Sequence, residues 1–156
     1  TMCNDTEVDV RLAHAHFSKY CFNASWDLIA KSERTPAETD MMIHLAHASI
    51  YHWIRRADCT DQNLSIGYWQ LSHVYALANQ GACAKHFAQV CLSFSQQHGV
   101  ARVYLGYAYE ALARASKVVG DDEEARSYCD KAQEIAAGLV EDDREQLLAD
   151  LAGIIS

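Results

Sequence analysis

Proline is scarce in this sequence: Pro36 is the single one among 156 residues. Long runs of β-branched residues are missing as well, whereas alanine and leucine are abundant and half of the residues are apolar. Because alanine and leucine favour helices and proline breaks them, this composition predicts an all-helical protein. A chain of this length forms one domain with a sizeable core, so we expect residues 1–156 to form a single domain.

No apolar stretch approaches the roughly 18 to 20 residues needed to cross a bilayer. The N-terminal sequence TMCNDTEVDV is polar and acidic, unlike a signal peptide. The cysteines form no C-x-x-C pair, and four of them fall in predicted helices, where thiols behave as small apolar groups. They are Cys3, Cys21, Cys59, Cys83, Cys91 and Cys129. We therefore expect a soluble, cytoplasmic protein without membrane contact or a disulfide framework.

The sequence also lacks a basic surface. Residues 1–120 contain ten basic and ten acidic residues, whereas residues 121–156 contain three basic and eleven acidic ones, which accounts for the net charge of -8. Phosphate contacts require clustered lysine and arginine, and the longest such cluster is the pair Arg55-Arg56. Nucleic-acid binding is therefore disfavoured. The acidic segment is either a solvated face or a docking surface for a basic partner.

Catalytic signatures are absent too. There is no glycine-rich phosphate loop, no G-x-S-x-G motif and no H-E-x-x-H motif. Cysteine and histidine both occur, but nothing in the sequence places a thiol beside an imidazole in an electropositive setting. We therefore expect a protein without enzymatic activity, catalytic residues or a cofactor.

Hydrophobic periodicity and capping signals predict about seven helices. The strongest helix start is Thr35, followed by Pro36 and by Glu38, which completes a capping box. A terminal helix is predicted to begin with Asp142 as its cap. The predicted helices cover about residues 7–31, 36–56, 62–79, 82–97, 102–119, 121–137 and 142–155.

Residues 102–137 read as two amphipathic helices joined by a tight turn. Gly120 stands where a helix end favours a left-handed residue, and Asp121 with Glu124 forms a second capping box. In the helix before the turn, apolar and small residues recur at spacings of three and four, and the helix after it carries small residues on one face. Such a pair forms an antiparallel hairpin.

This hairpin resembles a tetratricopeptide repeat. Leu112-Ala113 is similar to the family's large and small pair, Gly120 to its turn glycine, and Ala125 and Ala132 to the small residues of its second helix, with Tyr128-Cys129 near the aromatic position. The resemblance covers residues 62–137 and implies a short α-α superhelix of stacked antiparallel hairpins. It also implies a scaffold that binds a protein or peptide on its concave surface, by means of the third and fifth helices.

An internal repeat supports the stacking of two such units. Four residues of the fourth helix correspond in position to four of the sixth at an offset of 41: Ala84, Phe87, Ala88 and Cys91 align with Ala125, Tyr128, Cys129 and Ala132. Gly81 and Gly120 are matched as the two turn glycines. The expected organisation is an N-terminal helical pair (1–61), two repeat-like hairpins (62–99 and 100–138) and a capping helix (139–156).

Histidine and tryptophan concentrate in the first half of the chain. His44 and His47 lie one helical turn apart and could chelate together, but His47 and His52 are about 140° apart on the wheel, so the three cannot share one ion. Ligands from other helices, such as His14, His73 or Glu110, would be needed. We therefore predict no metal site, and we retain metal or small-molecule binding by this half as the alternative function.

Aromatic, histidine and arginine side chains of the second and third helices could line a concave groove that stacks an aromatic group or clamps a carboxylate. The candidates are His44, His47, Tyr51, Arg55, Tyr68, Trp69, His73 and Tyr75. The same rings could instead fill the core. The expected partner is a protein or peptide. The protein could also form a homodimer through its first two helices. A further hypothesis is that it is a subunit of a regulatory assembly.

Overall fold

A computed structural model describes residues 7–155 and shows seven α-helices in that range. The prediction of an all-helical fold with about seven helices is thereby confirmed. Cys3 and the first six residues of the polar N-terminal segment lie outside the described residues. The helices are α1 (Val10–Ile29), α2 (Pro36–Ile54), α3 (Asp61–Leu77), α4 (Gly81–Ser95), α5 (Arg102–Val119), α6 (Asp122–Ala137) and α7 (Glu141–Ile155).

Consecutive helices form antiparallel hairpins, which serine hydroxyls join across the helix crossings. In the first hairpin, Ser25 Oγ donates to the carbonyl oxygen of Met42 at 3.0 Å, and Ser49 Oγ donates to that of Ser18 at 2.8 Å. In the second hairpin, Ser72 Oγ donates to the carbonyl oxygen of Ala84 at 2.8 Å. Small residues at these crossings let the backbones approach closely, and the hydroxyls satisfy their own hydrogen-bonding capacity there.

The hairpins stack into an open array with two layers. Each helix contacts the next one in the chain, and each odd-numbered helix also contacts the next odd-numbered helix. Within residues 7–155 no Cα atoms of two even-numbered helices approach within 8 Å, and these helices meet only through long side chains such as Lys85 of α4 and Glu124 of α6. Helices α1, α3, α5 and α7 therefore form a continuous inner layer, as in helical solenoids.

The two central hairpins repeat with a constant offset of 41 residues. Helix α5 begins 41 positions after α3, and α6 begins 41 positions after α4. The turns match as well, because Asn79 (φ 58°) and Gly120 (φ 85°) both adopt the left-handed conformation and are 41 positions apart. The predicted match of Gly81 with Gly120 is wrong: Gly81 is the first residue of α4, and Asn79 is the structural counterpart of Gly120, since each adopts the left-handed conformation at the end of a helix.

Ring stacking repeats with the same offset. Tyr68 of α3 stacks on Phe87 of α4 with ring centroids 6.1 Å apart, and Tyr109 of α5 stacks on Tyr128 of α6 at 6.2 Å. Tyr68 and Tyr109, like Phe87 and Tyr128, are 41 positions apart. Equivalent residues thus make equivalent contacts in both hairpins, and α3 to α6 are two units of one geometry laid side by side.

The predicted helix boundaries hold to within a few residues, with differences at the caps. The capping box of Thr35 and Glu38 is confirmed. Asp121 accepts from the backbone N–H of Glu124 at 2.9 Å, but the Glu124 carboxylate bonds Lys85 and Ser116 instead of completing a second box. Asp142 is not a cap, because α7 begins at Glu141.

The buried face of helix α1 coincides only in part with its apolar stripe. Helical spacing places Val10, Phe17 and Cys21 on one face, yet Val10 and Phe17 are 61% and 41% exposed, and of the three only Cys21 is buried. Ser18 and Ser25 are buried beside it. The reason is the close crossing with α2, which accommodates small side chains and excludes large ones.

Two further features concern the environment of the chain. None of the helices in the described part of the chain is both long and apolar enough to cross a membrane. The five cysteines within residues 7–155 are free thiols, and burial raises the pKa of Cys91 to about 12. Cys91 is therefore a packing residue, as expected for a thiol inside a helix.

Replacing Gly81 with alanine should destabilise the protein. A Cβ at this buried position would lie 2.4 Å from Val119 Cγ1 and 3.2 Å from the Val119 backbone nitrogen, so α4 and α5 would have to move apart. We expect a loss of roughly 1–3 kcal/mol in the free energy of unfolding, measured by urea denaturation. Gly153→Ala is the control, because Gly153 is exposed in α7 with no atom within 4 Å of the added Cβ. Equal stability of the two variants would contradict the close contact.

Candidate functional site

The four helices of the inner layer enclose a groove of about 370 Å³, here called the inner groove. Each odd-numbered helix contributes to its walls, which are mainly aromatic and apolar. The lining residues are Phe22 and Trp26 of α1, Ser65, Ile66 and Trp69 of α3, Tyr104 and Tyr107 of α5, and Asp150 of α7. Grooves of this size and composition are typical of binding sites.

Aromatic rings from three helices are packed against one another along the inner groove. Trp26 and Trp69 are stacked with centroids 5.6 Å apart and an interplanar angle of 27°. Tyr107 meets Trp69 edge to face at 5.7 Å, and Phe22 meets Trp26 in the same manner at 6.4 Å. Such contacts hold the rings in fixed orientations, so the wall is formed before any ligand arrives.

The orientation of Trp69 is fixed by a buried carboxylate. Its indole N–H donates to Glu110 Oε2 at 2.8 Å, and the guanidinium of Arg114 donates to Glu110 Oε1, with Nε at 3.0 Å. Glu110 is fully buried, and burial raises its pKa, while Arg114 and Trp69 act in the opposite direction. This network joins α3 to α5 and supports the groove wall from behind.

A second polar contact lies where the inner groove meets α7. The Tyr107 hydroxyl donates to Asp150 Oδ2 at 2.9 Å, and the other carboxylate oxygen is 3.5 Å from Gln146 Nε2. Burial and the neighbouring Asp150 raise the pKa of Tyr107. The phenol therefore keeps its proton and holds the carboxylate at the edge of the groove.

The inner groove continues into a second pocket of about 240 Å³. Phe22 and Ile66 line both spaces, so the two form one track along α1 and α3. The second pocket is more polar, since it is also lined by Lys19, Asn23, Trp53, Asn63 and Gly67. The track thus has a carboxylate in the inner groove, and an ammonium group and two amide side chains in the second pocket.

His73 lies beside the inner groove and is kept neutral by its surroundings. Its ring centroid is 5.2 Å from Trp69 and 5.9 Å from Trp26, and its buried Nδ1 has no hydrogen-bond partner within residues 7–155. Burial, with smaller effects of the Arg114 and Arg34 charges, lowers the pKa of His73 to about 3. The imidazole therefore packs as a neutral ring against the two tryptophans of the aromatic wall.

Of the eight predicted groove residues, Trp69 lines the inner groove, and His73 does not line it but packs on the Trp69 ring. Three others lie between α2, α3 and α4, on the other side of α3. There His47 Nε2 is 2.8 Å from the Tyr75 hydroxyl, and Tyr68 stacks on Phe94 with centroids 5.6 Å apart. Tyr68 and Tyr75 are thus half-buried packing residues on the side of α3 that faces α2 and α4, and His47 contacts Tyr75 from an exposed position of α2.

The remaining three predicted groove residues lie on the exposed face of α2. Tyr51 is 56% exposed and contacts the rings of His14 and His52. His44 and the C-cap residue Arg55 are exposed as well. The eight residues therefore do not form a single groove, because α2 turns these side chains away from α3 and towards solvent.

Seven residues of the inner groove were missed from the sequence, namely Phe22, Trp26, Ser65, Ile66, Tyr104, Tyr107 and Asp150. A signal for two of them was present. Ile66 and Tyr107 are 41 positions apart, so the internal repeat places them at equivalent positions of α3 and α5. Extending the repeat from the even-numbered to the odd-numbered helices would have identified that face.

The histidines of α1 and α2 provide no metal centre within the described residues, where no three histidine, cysteine, aspartate or glutamate side chains cluster. His14 and His52 are paired, with their Nδ1 atoms 2.8 Å apart. His73 and Glu110 lie apart from this pair, at the inner groove. A protein zinc site requires three or four ligands, so the pair alone does not make one.

Trp69→Phe should destabilise the protein more than the same change at Trp53. The substitution removes the indole donor and leaves Glu110 Oε2 buried without its partner. The Trp53→Phe substitution instead affects packing contacts such as that with the Arg56 guanidinium, which lies 4.1 Å from the centroid of the Trp53 ring. We expect Trp69→Phe to cost roughly 1–3 kcal/mol beyond Trp53→Phe in urea unfolding. Equal costs would mean that the bond to Glu110 contributes nothing to stability.

The stability of the protein should fall with pH in a way that depends on His73. Its pKa is depressed in the folded state, so its contribution is fully present above the ordinary value of 6.5 and is lost as the pH falls towards about 3. Between pH 6.5 and 5 this loss is roughly 1.5 kcal/mol. His73→Phe should remove that part of the pH dependence, whereas His98→Phe, at an exposed loop position, should keep it. If stability falls with pH equally steeply in His73→Phe and in the wild type, His73 is protonated as readily in the folded as in the unfolded protein, and this explanation is wrong.

In chemical terms the inner groove offers ring faces and one carboxylate, and the adjoining pocket offers amides and one ammonium group. These groups can bind apolar, aromatic and charged side chains, and the amides can hydrogen-bond an extended backbone. Comparison of the chain with protein-family models, with curated proteins and with solved structures finds no match.

Proposed function

We propose that this protein is a non-catalytic interaction module that binds an extended segment of a protein partner in the inner groove and the second pocket. The observation that carries the proposal is the groove of about 370 Å³ on the inner layer, lined by all four odd-numbered helices. The resemblance to tetratricopeptide repeats supports it, because that family binds peptides on the corresponding concave surface. This support from fold alone is secondary to the groove itself.

The continuity of the two spaces favours a peptide over a compact ligand. Phe22 and Ile66 are shared walls, so a ligand can run from Asp150 past these apolar residues to Lys19. An extended peptide has side chains for the apolar walls, and backbone amides that can pair with Asn23 and Asn63. Pre-packed rings also reduce the ordering cost of binding.

A small-molecule ligand is the second candidate function. It is favoured by the inner groove alone, whose volume of about 370 Å³ falls in the range of sites for small organic ligands. The stacked Trp26 and Trp69 would suit an aromatic ring. Such a ligand would leave the second pocket empty, and this difference separates the two candidates.

The proposal includes a cytoplasmic location, which the free thiols within residues 7–155 support. Partner binding and self-association use different faces in this account. The exposed apolar side chains of α1 and α2 include Tyr20, Tyr51 and Ile54, each more than half exposed. A homodimer through that face would leave the inner groove open, so a dimeric regulatory assembly remains compatible with peptide binding.

Selection from a displayed library of random peptides should yield binders whose affinity depends on Tyr104. Tyr104→Ala removes a ring from the groove wall, whereas Tyr51→Ala removes the same atoms from the exposed face of α2. We expect Tyr104→Ala to weaken the selected peptides at least about tenfold, since central aromatic residues of interfaces contribute more than 1 kcal/mol. Isothermal titration calorimetry with each variant provides the measurement.

Tyr51→Ala should change those affinities less than about twofold, within the range of residues outside an interface. Thermal unfolding of both variants controls for loss of structure. Recovery of no peptide, or of peptides that respond to Tyr51→Ala and ignore Tyr104→Ala, would reject peptide binding in the inner groove.

A further inference from the structure

We propose that the bound segment inserts an arginine side chain into the inner groove, with its guanidinium against the tryptophan rings and its N–H groups on Asp150. This assignment rests on the proposed function and goes beyond it by naming the side chain that the groove recognises. Three observations carry it: a carboxylate without an ion-pair partner, the aromatic side chains that line the same groove, and the distribution of charge around the site.

Asp150 is a part-buried carboxylate without a cationic partner. None of the ion pairs formed within residues 7–155 involves it. Its oxygens accept a hydrogen bond from the Tyr107 hydroxyl and, at 3.5 Å, one from Gln146. Four lone-pair sites are available on a carboxylate, so acceptor capacity is left over on both oxygens. A carboxylate among aromatic side chains favours a ligand that brings positive charge.

The rings beside Asp150 suit a cation on an apolar stem. Trp26, Trp69, Tyr104 and Tyr107 line the same groove as the carboxylate. A cation over an indole face is attracted by the ring quadrupole, and the surrounding apolar walls accommodate the methylene groups of a long side chain. The groove therefore matches both parts of a basic side chain.

The protein uses the same pairing elsewhere on its surface. The guanidinium of Arg56 lies 4.1 Å from the centroid of the Trp53 ring while two of its nitrogens bond Asp58, at 2.8 and 2.7 Å. A ring face and a carboxylate thus hold one guanidinium between them. The inner groove presents this combination with the guanidinium missing, and a partner can supply it.

Arginine fits these groups better than lysine. Its planar guanidinium can stack on an indole and, in the same plane, donate two parallel hydrogen bonds to a carboxylate. The ammonium group of lysine cannot stack and is more strongly hydrated. Because the Tyr107 hydroxyl fixes the orientation of the Asp150 carboxylate, a planar guanidinium can align with it, and this alignment favours arginine over lysine.

The charges around this end of the groove favour a cation as well. Burial is the main cause of the raised pKa of Tyr107, and the carboxylates of Asp150, Glu110 and Asp143 add to it. Among the positive groups, Arg114 is engaged with Glu110, and Lys19 lies in the second pocket. Arg34, whose charge acts on His73, donates to backbone carbonyl oxygens at the end of α1. Residues 121–156 contain eleven acidic and three basic residues, so the field near α7 attracts positive charge.

The test uses three labelled peptides, Ser-Leu-Ser-Xaa-Ser-Leu-Ser, in which the central residue is arginine, lysine or citrulline. Citrulline has nearly the shape of arginine but lacks its charge. Fluorescence anisotropy with the full chain should show the arginine peptide binding at least about tenfold more tightly than the citrulline peptide and more tightly than the lysine peptide. Added salt should reduce the preference.

Three variants assign the preference to Asp150. Asp150→Asn can still accept from Tyr107 and should bring the arginine and citrulline affinities within about twofold of each other, because the charge-assisted bonds are lost. Asp150→Glu keeps the charge and should retain a preference for arginine. Asp130→Asn makes the same change of net charge at an exposed position of α6 and should behave as the wild type. Thermal unfolding confirms that each variant is folded.

The outcomes separate this assignment from peptide binding itself. Library-selected peptides that depend on Tyr104 but show no difference between arginine and citrulline would leave peptide binding standing and overturn the arginine assignment. A preference that persists unchanged in Asp150→Asn would also overturn it. Failure of the library peptides and of all three synthetic peptides to bind would reject both proposals.

Discussion

The close crossing of neighbouring helices is the constraint on which the rest of this structure depends. Alanine, serine, glycine and cysteine occupy the crossings, and alanines such as Ala46, Ala88 and Ala132 are fully buried. Serine hydroxyls donate to carbonyl oxygens of the facing helix, so these polar groups are buried without a large penalty. Because the crossings admit only small side chains, the large rings are displaced to the two surfaces of the array. One set packs between α2, α3 and α4, and the other lines the inner groove.

The shape of the groove depends on the register between α3 and α5. The bond from Trp69 to the buried Glu110 joins these helices, and Arg114 compensates part of the charge. Trp69 and Glu110 are 41 positions apart, so an aromatic residue of one repeat is paired with a carboxylate at the equivalent position of the next. Divergence of the repeat at this position thus provides both a link between the hairpins and a fixed ring for the site.

Local signals predicted the fold well, and the site less well. Helix starts such as Thr35 are set by short-range hydrogen bonds, which a sequence displays directly. The buried face of a helix depends on its neighbours, which explains why Phe17 is exposed and Ser18 buried in α1. The walls of the groove come from four helices that are distant in sequence. An aromatic residue such as Trp69 is a candidate in any sequence, whereas Asp150 becomes a candidate only when the fold places it beside Tyr107. The repeat offset was the one long-range signal in the sequence, and it was applied only to the even-numbered helices.

Ligand binding to the inner layer can be followed through the indole N–H signals of the protein. The chain has three tryptophans, of which Trp26 and Trp69 line the inner groove and Trp53 lines the second pocket. In nitrogen-15 NMR spectra, titration with a selected peptide should shift the Trp26 and Trp69 indole signals in a saturable manner, with the backbone signals around Tyr51 unchanged. Saturating peptide that shifts the signals around Tyr51 and leaves both groove indoles in place would contradict the account.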